Sequence, residues 1–371
     1  MSVDSNAQQN SSTVVLVTGA SGYLGANCVR LLLTDGYTVR GTVRSLANEE
    51  KCAPLRSIAD ALGGDAPRRL QLVQADLLRA DCWTEVVEDC AFVLHVASPF
   101  PIVADESTVS TAIEGTLNVL RACARKSARV QKVVLTSSCA AVNEGQKDDN
   151  IAYNEDYWSS NDPKKVEPYP RSKTEAEKTA WDFVSKLTEE NNRFTLTCLN
   201  PTLIIGPVLT DTLGTSITII KRFFSFAMLA VPALNFPLVD VRDVAEAHVR
   251  AMRDARTDGE RILLSAQPSY WYRDIARVLG TEFRPQGYFV PRLQAPYAAI
   301  WLASFVDGDA RASLTRINRR NKFDTTKAES LLGMEFRNPE NSLIEMVYSM
   351  IERGILPKKS GYRGPPKDLE T

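Results

Sequence analysis

Three glycines, Gly19, Gly22 and Gly25, constrain this chain more than any other feature. They follow the apolar run Val14 to Val17 and precede a helical face from Cys28 to Leu33, so a strand must turn at once into a helix there. A tight turn, a helix packed close to a strand and a phosphate approaching backbone amides each leave no room for a β-carbon. Beyond the turn, a helix N-terminus offers unpaired N–H groups and partial positive charge, which suits a pyrophosphate. In this strand-turn-helix setting the glycines read as a dinucleotide-binding turn.

The alternation then continues. Asp35-Gly36 stops the first helix and Tyr37-Thr38-Val39 resumes a β-branched pattern. Strands are expected at Leu70 to Val73, Phe92 to Val96, Val133 to Thr136 and Phe194 to Leu199, with helices at Trp83 to Val87, Val109 to Ala124 and Ser172 to Leu187. Apolar strands alternating with amphipathic helices imply a parallel sheet covered on both faces. The predicted fold is therefore α/β, a Rossmann-type doubly wound parallel sheet with a smaller C-terminal substrate-binding region. After Pro201, frequent prolines and shorter periodic pieces point to substrate enclosure more than to sheet building. The expected division is a disordered tail at 1–12, a dinucleotide-binding Rossmann domain at 13–200, a mainly substrate-binding region at 201–358 interleaved with the sheet, and a flexible tail at 359–371.

A formal net charge of −1, with 44% hydrophobic and 24% charged residues, gives no field that favours nucleic acid. Seven cysteines without close paired spacing suit a reducing compartment, and residues 1–12 lack the apolar core of a signal peptide, so a cytoplasmic location is expected. Leu293 to Val306 is shorter than the roughly 20 residues a membrane span needs, and Ile217 to Leu238 is broken by Lys221, Arg222 and Pro232. Both are read as buried helix or pocket wall, with no membrane partner.

Chemistry enters with Tyr169-Pro170-Arg171-Ser172-Lys173, which sets a phenol and an ammonium one helical turn apart. An unperturbed tyrosine has a pKa of about 10, so a neighbouring ammonium is expected to favour its ionised form and make it a usable proton relay. Upstream, Ser137 and Ser138 stand at a strand end, and their alternation leaves open which one faces the site. Pro168 and Pro170 flank Tyr169, which places it at the helix N-cap or its edge. No His or Cys pair at ligand spacing and no Gly-x-Ser-x-Gly elbow occurs, so neither a catalytic metal nor a hydrolase triad is expected.

The Gly-x-x-Gly-x-x-Gly spacing with Tyr-x-x-x-Lys resembles the extended short-chain dehydrogenase/reductases. Within them the chain is similar to the group of dihydroflavonol reductase, cinnamoyl-CoA reductase and yeast methylglyoxal reductase. Val17 to Gly25, Tyr37 to Arg44, His95-Val96-Ala97-Ser98-Pro99, Ser172-Lys173 with Glu177 and Ala180-Trp181, Asn200 to Pro207 and Val239 to Ala245 carry the likeness. It implies NADPH-dependent reduction of an aldehyde or ketone, with Ser138, Tyr169 and Lys173 as the catalytic set and Lys173 also holding the nicotinamide ribose. Cofactor contacts are implied at Gly19, Ser21, Gly22, Tyr23, Leu24, Gly25, Asp76, Leu77, Val96, Ala97, Ser98, Pro201 and Leu203. Where an NAD enzyme commonly presents a carboxylate at the end of the second strand, this chain has Arg44, which with Lys51 in support favours NADP(H) through its 2′-phosphate. Arg40 reads better as a solvated strand-end charge, and Asp76 is equally able to cap the following helix.

Relatives that epimerise or dehydrate nucleotide sugars, and hydroxysteroid-type dehydrogenases, share the Tyr and Lys and remain alternatives, as does a non-catalytic NADP sensor. Ala112-Ile113-Glu114-Gly115-Thr116 lacks the Asn frequent in the sugar enzymes, which weighs against the first. Pocket candidates are Pro99 to Pro101, Cys139 to Val142, Thr202 to Pro207 and Phe223 to Phe236, mostly apolar, which suits a hydrophobic or aromatic carbonyl. A monomer or homodimer is expected.

Overall fold

The computed structural model describes residues 10–98, 105–146, 148, 150–212, 214–305, 308–314 and 316–366. Strand β1 (Val14–Thr18) has Val15, Leu16 and Val17 fully buried, as a strand covered on both faces requires. Around it lie β2 (Thr38–Val43), β3 (Leu70–Gln74), β4 (Cys90–His95), β5 (Lys132–Thr136) and β6 (Thr195–Pro201). All pair in parallel.

Helices α1 (Tyr23–Thr34), α2 (Glu49–Leu62), α3 (Glu106–Cys123) and α4 (Pro168–Ser185) cover the sheet. Helix α1 stops at Asp35, and Gly36 takes the left-handed φ of 89° that turns the chain into β2. Helix α2 was not anticipated: Pro54 lies inside it, and only Cys52, Leu55 and Ala59 are buried, so its apolar signal is thin.

The C-terminal region contributes to the main sheet. Strands β7 (Leu203–Ile205), β8 (Ala230–Val231) and β9 (Asn235–Asp240) and helix α5 (Val241–Arg253) lead to β10 (Arg261–Leu264), which pairs in parallel with β6 and becomes an edge of the main sheet. Strand order is β10-β6-β5-β4-β1-β2-β3. Helix α5 shares one apolar core with α1, where Cys28, Val29 and Leu32 are fully buried with Val244 and Ala247. Residues after Pro201 thus supply a strand of the main sheet. The prolines masked this, because the four residues of β10 give too short an apolar run to stand out.

Strand β11 (Ala266–Trp271) joins β9 and β7 in a three-stranded sheet, and β12 (Leu293–Gln294) pairs with β8. Helices α6 (Tyr272–Phe283) and α7 (Pro339–Glu352) close a second core in which Phe223, Ile217, Phe283 and Met346 are fully buried. Phe223 is therefore core, whereas Phe226 is 74% exposed. Leu293, Tyr297, Trp301, Leu302 and Phe305 are also exposed, contrary to the reading of Leu293 to Val306 as buried helix or pocket wall. Among the described residues no helix is long and apolar enough to cross a membrane.

Both expected tails hold contacts near the body. The Asn10 side-chain amide donates to the Asp35 carbonyl, and the Thr38 hydroxyl to the Ser11 carbonyl. Tyr362 donates to Glu352 at 2.5 Å, and the Lys359 amide to the Tyr288 hydroxyl. Polar composition hid these docking bonds, since single hydrogen bonds leave no periodic mark in sequence.

Strand order reverses between β1 and β4, the place where a crevice opens at the carboxyl ends of a doubly wound sheet. Thr18 and His95 are register partners there. A β-carbon on Gly25 would lie 2.2 Å from the Gly19 carbonyl oxygen and 3.0 Å from the Ala20 α-carbon, both backbone atoms. Gly25→Ala is therefore expected to cost about 1–3 kcal/mol of folding stability, measured by urea unfolding; an unchanged midpoint would show that α1 shifts without strain.

Candidate active site

The crevice is built from the ends of β1, β4 and β5. Gly19 has a left-handed φ of 66°, and a β-carbon on it would meet Ala97 at 3.1 Å. Its amide donates to the Thr42 hydroxyl, and the Ala20 amide to the Thr42 carbonyl, so β2 holds the turn in place. The Gly22 amide donates to the Gly19 carbonyl and the Ala26 amide to Gly22. Among the described residues, no protein acceptor receives the N–H groups of Tyr23, Leu24 or Gly25. Three unpaired amides at a helix start, in a cradle that side chains would fill, fit a pyrophosphate.

Other residues of the turn have packing duties. The Tyr23 hydroxyl donates to the Gly206 carbonyl at 2.6 Å, tying α1 to β7, and the Leu24 side chain is buried in the core. The Ser21 carbonyl accepts from the hydroxyls of Thr210 and Thr212 at 3.0 and 2.8 Å. Lys51 donates to the same Thr212 hydroxyl at 2.9 Å. That threonine strap was not legible in the sequence, because its partners lie about 190 residues away.

Arg44 follows β2, is exposed and makes no hydrogen bond or ion pair among the described residues. Arg40 is not a solvated strand-end charge: its guanidinium donates to the carbonyls of Val86 and Glu88 at 3.1 and 2.6 Å. The Asp76 carboxylate accepts from the Leu78 amide and closes a local turn. Leu77 stands where a β-carbon on Gly115 would approach within 3.1 Å, and its carbonyl accepts from Asn118.

On the β4 side, the Thr18 hydroxyl oxygen accepts from the Ala97 amide at 2.9 Å and lies 2.8 Å from His95 Nδ1. These bonds shape Val96, Ala97 and Ser98 over the crevice. Burial, with the Lys173 charge adding to it, pushes His95 down to about 3, so the ring is neutral. His248 is a packing residue: Nδ1 donates to the Val244 carbonyl and Nε2 accepts from Thr136. Pro99, Phe100 and Pro101 include the candidate pocket positions 99 and 100 to 101; Phe100 and Pro101 lie outside the described residues, as does Pro99.

Helix α4 begins earlier than the periodicity suggested. Pro168 is its first residue, and the first amide bonded back in register is that of Arg171, to Glu167. Tyr169 thus lies in the first turn, at the edge of the helix and two residues past the N-cap Glu167. Both prolines fit because N–H groups of a first turn have no intrahelical acceptor to lose. The Ser172 hydroxyl donates to the Tyr169 carbonyl and Thr174 to Pro170, satisfying groups at this end.

Of the two serines, Ser138 is the one close enough to act on the Tyr169 phenol. Ser137 instead donates to the buried Glu177 carboxylate at 2.5 Å. Tyr169 is pushed up to about 12 by burial first, with Cys139 and Glu144 adding and the Ser138 bond opposing. Lys173 is not among the causes of this shift, which burial dominates, and the phenol is protonated at neutral pH. Burial likewise pushes Lys173 down to about 8, against the Glu177 charge that holds it up. Among the described residues the Lys173 ammonium makes no hydrogen bond or ion pair, although the residue is only 9% exposed.

Cys139 is a free thiol pushed up to about 12 by burial, and inert at neutral pH. Of the pocket candidates, Ala141, Val142 and Ile205 are fully buried and belong to cores, while Leu203 and Ile204 keep partial exposure. Pro201 closes β6 and is itself buried. A buried network behind the site escaped the sequence reading: Glu177, Asn200 and Arg261 meet there from α4, β6 and β10. Of the three, Glu177 alone had a local signal, as the third member of an i, i+4, i+8 row with Tyr169 and Lys173.

Comparison with known proteins agrees with this geometry. The family model described as NAD dependent epimerase/dehydratase matches residues 15–264. A cinnamoyl-CoA reductase of Medicago truncatula is 35% identical over 94% of this chain and 98% of its own. The NADPH-dependent methylglyoxal reductase GRE2 of Saccharomyces cerevisiae is 29% identical over 89% of this chain and 95% of its own. Among solved structures, yeast methylglyoxal/isovaleraldehyde reductase complexed with NADPH superposes with a TM-score of 0.75 at 27% identity, covering 92% of this chain and 99% of that one. The chain belongs to the NAD dependent epimerase/dehydratase family, as an extended short-chain dehydrogenase/reductase of the group that holds these reductases.

Proposed function

We propose that this protein is an NADPH-dependent reductase that converts a hydrophobic or aromatic aldehyde or ketone to an alcohol. One observation carries the reading: Lys173, a buried ammonium with no hydrogen bond or ion pair among the described residues, stands one helical turn from the buried phenol of Tyr169, on which Ser138 acts. An ammonium desolvated without a counter-group suits a ligand that brings hydroxyls to it.

NADPH would be held by the free amides at the start of α1, by Lys173 at the nicotinamide ribose and by Arg44 at the 2′-phosphate. Bound there, it supplies a hydride to the carbonyl carbon. Ser138 orients the carbonyl oxygen by hydrogen bonding. Tyr169 gives that oxygen its proton, a task suited to a phenol held protonated by burial. Asp76, Leu77, Val96, Ala97, Ser98, Pro201 and Leu203 would line the cofactor, while Ser21, Tyr23 and Leu24 fix the turn beneath it. Lys51, engaged with Thr212, would close the turn from outside rather than meet the phosphate. The partner is a small carbonyl compound, the protein a cytoplasmic monomer or homodimer.

Tyr169→Phe should lower kcat/KM for carbonyl reduction by about 10²–10⁴-fold, while NADPH affinity, read by fluorescence titration, stays within about threefold; full turnover in this variant would refute the role. Arg44→Ala should raise the Kd for NADPH by about 10–100-fold and leave NADH unchanged, whereas equal weakening of both would make Arg44 a bystander. Since Lys173 in the free enzyme is held near 8, it is charged below that pH and neutral above it. kcat/KM for NADPH should accordingly be level up to about pH 7.5 and decline through about pH 8 to 9; a profile level to about pH 10 would contradict it.

A further inference from the structure

Glu177 follows Lys173 by one turn on α4 and is 1% exposed. Its carboxylate is fully engaged. Oε2 accepts from the Ser137 hydroxyl at 2.5 Å and from Asn200 Nδ2 at 2.8 Å, while Oε1 accepts from Arg261 Nε at 2.6 Å. Asn200 Nδ2 also donates to the carbonyl of Ser138 at 3.1 Å. Arg261 is pinned in turn: it donates to the carbonyls of Glu155 and Tyr157 at 2.5 and 2.9 Å, and its guanidinium stacks 3.5 Å from the Trp158 ring centroid.

One carboxylate therefore touches two residues that adjoin Ser138, stands one turn from Lys173 on α4, and is fastened to the sheet edge at β10. Burying an ion pair this deep is a poor route to stability, because desolvation offsets most of the attraction. A pair kept at that cost, in contact with the segment that bears Ser138, has a use in setting the site. We propose that Glu177 is a positioning residue: it fixes the Ser137–Ser138 backbone through Ser137 and Asn200, and its negative charge keeps Lys173 an ammonium in a site too dry to favour one.

The second part has electrostatic support. Glu177 is the one charge that raises Lys173 against its burial, and Arg261 is not among the charges acting on it. Removing the carboxylate and removing the guanidinium should thus have different effects on Lys173, although either one breaks the same ion pair. A purely structural role makes no such distinction.

The proposal rests on the reading that Lys173 holds the cofactor, so the test uses NADPH binding, without turnover, from about pH 6 to about pH 10. In the unaltered protein, affinity should fall above about pH 8 and lose that dependence in Lys173→Ala; if it does not, that reading and this proposal both fail. Given that behaviour, Glu177→Gln should move the fall to lower pH by about one unit, and Arg261→Gln should leave it in place. Should Glu177→Gln not fold, the double variant Glu177→Gln with Arg261→Gln, which strands no buried charge, should show the same move. An unmoved fall in whichever folded variant carries Glu177→Gln, or an equal move in Arg261→Gln alone, would overturn the proposal. For the backbone part, kcat for carbonyl reduction should drop about 10–100-fold in Glu177→Gln at about pH 6.5 with carbonyl KM within about threefold; unchanged kcat would overturn that part.

Discussion

The close approach of Gly25 to the Gly19 carbonyl is the constraint from which the rest of the site follows. With 2.2 Å between that oxygen and any β-carbon on Gly25, α1 can lie against the end of β1 only if no side chain intervenes. That contact sets the start of α1, where the amides of Tyr23, Leu24 and Gly25 have no protein acceptor among the described residues, against the end of β1. It also brings the Tyr23 phenol to Gly206 and Ser21 to the threonines at 210 and 212, so the C-terminal region is fastened to the same turn. A single packing requirement thus sets both the start of α1 and the docking of the second core.

Burial does the second piece of work. It acts on two neighbouring groups in opposite senses, raising the Tyr169 phenol and lowering the Lys173 ammonium, because in each case it disfavours the charged form. The outcome is a phenol reliably protonated and an ammonium poised near neutrality. Charge on Glu177 restrains the second shift. The site is thereby tuned by desolvation, with ionic neighbours as the correction and not the main effect.

Much of this was legible because periodicity reports it. The run Val14 to Val17, the glycines and the helical faces recur in order, and the sheet follows from their alternation. Pro201 onward was harder to read: β10 is four residues long, and α5 packs on α1 from about 200 residues away. Contacts such as Arg40 to the Val86 and Glu88 carbonyls have no local signature either, since a guanidinium bound to carbonyls and one in water look alike in sequence. The start of α4 was misplaced for a related reason: proline disfavours helix in general, yet costs nothing in a first turn.

By itself, then, the sequence determined the doubly wound sheet, the glycine-rich turn and the placing of Tyr169 and Lys173 one turn apart on a helix, because spacing along a strand or helix fixes which residues share a face. Tertiary structure decided what remained. It set Ser138 beside the Tyr169 phenol and Ser137 onto Glu177, raised the phenol by burial, and gathered Glu177, Asn200 and Arg261 from three elements into one buried cluster. Burial and long-range pairing are properties of the packed chain, and no local pattern of residues encodes them.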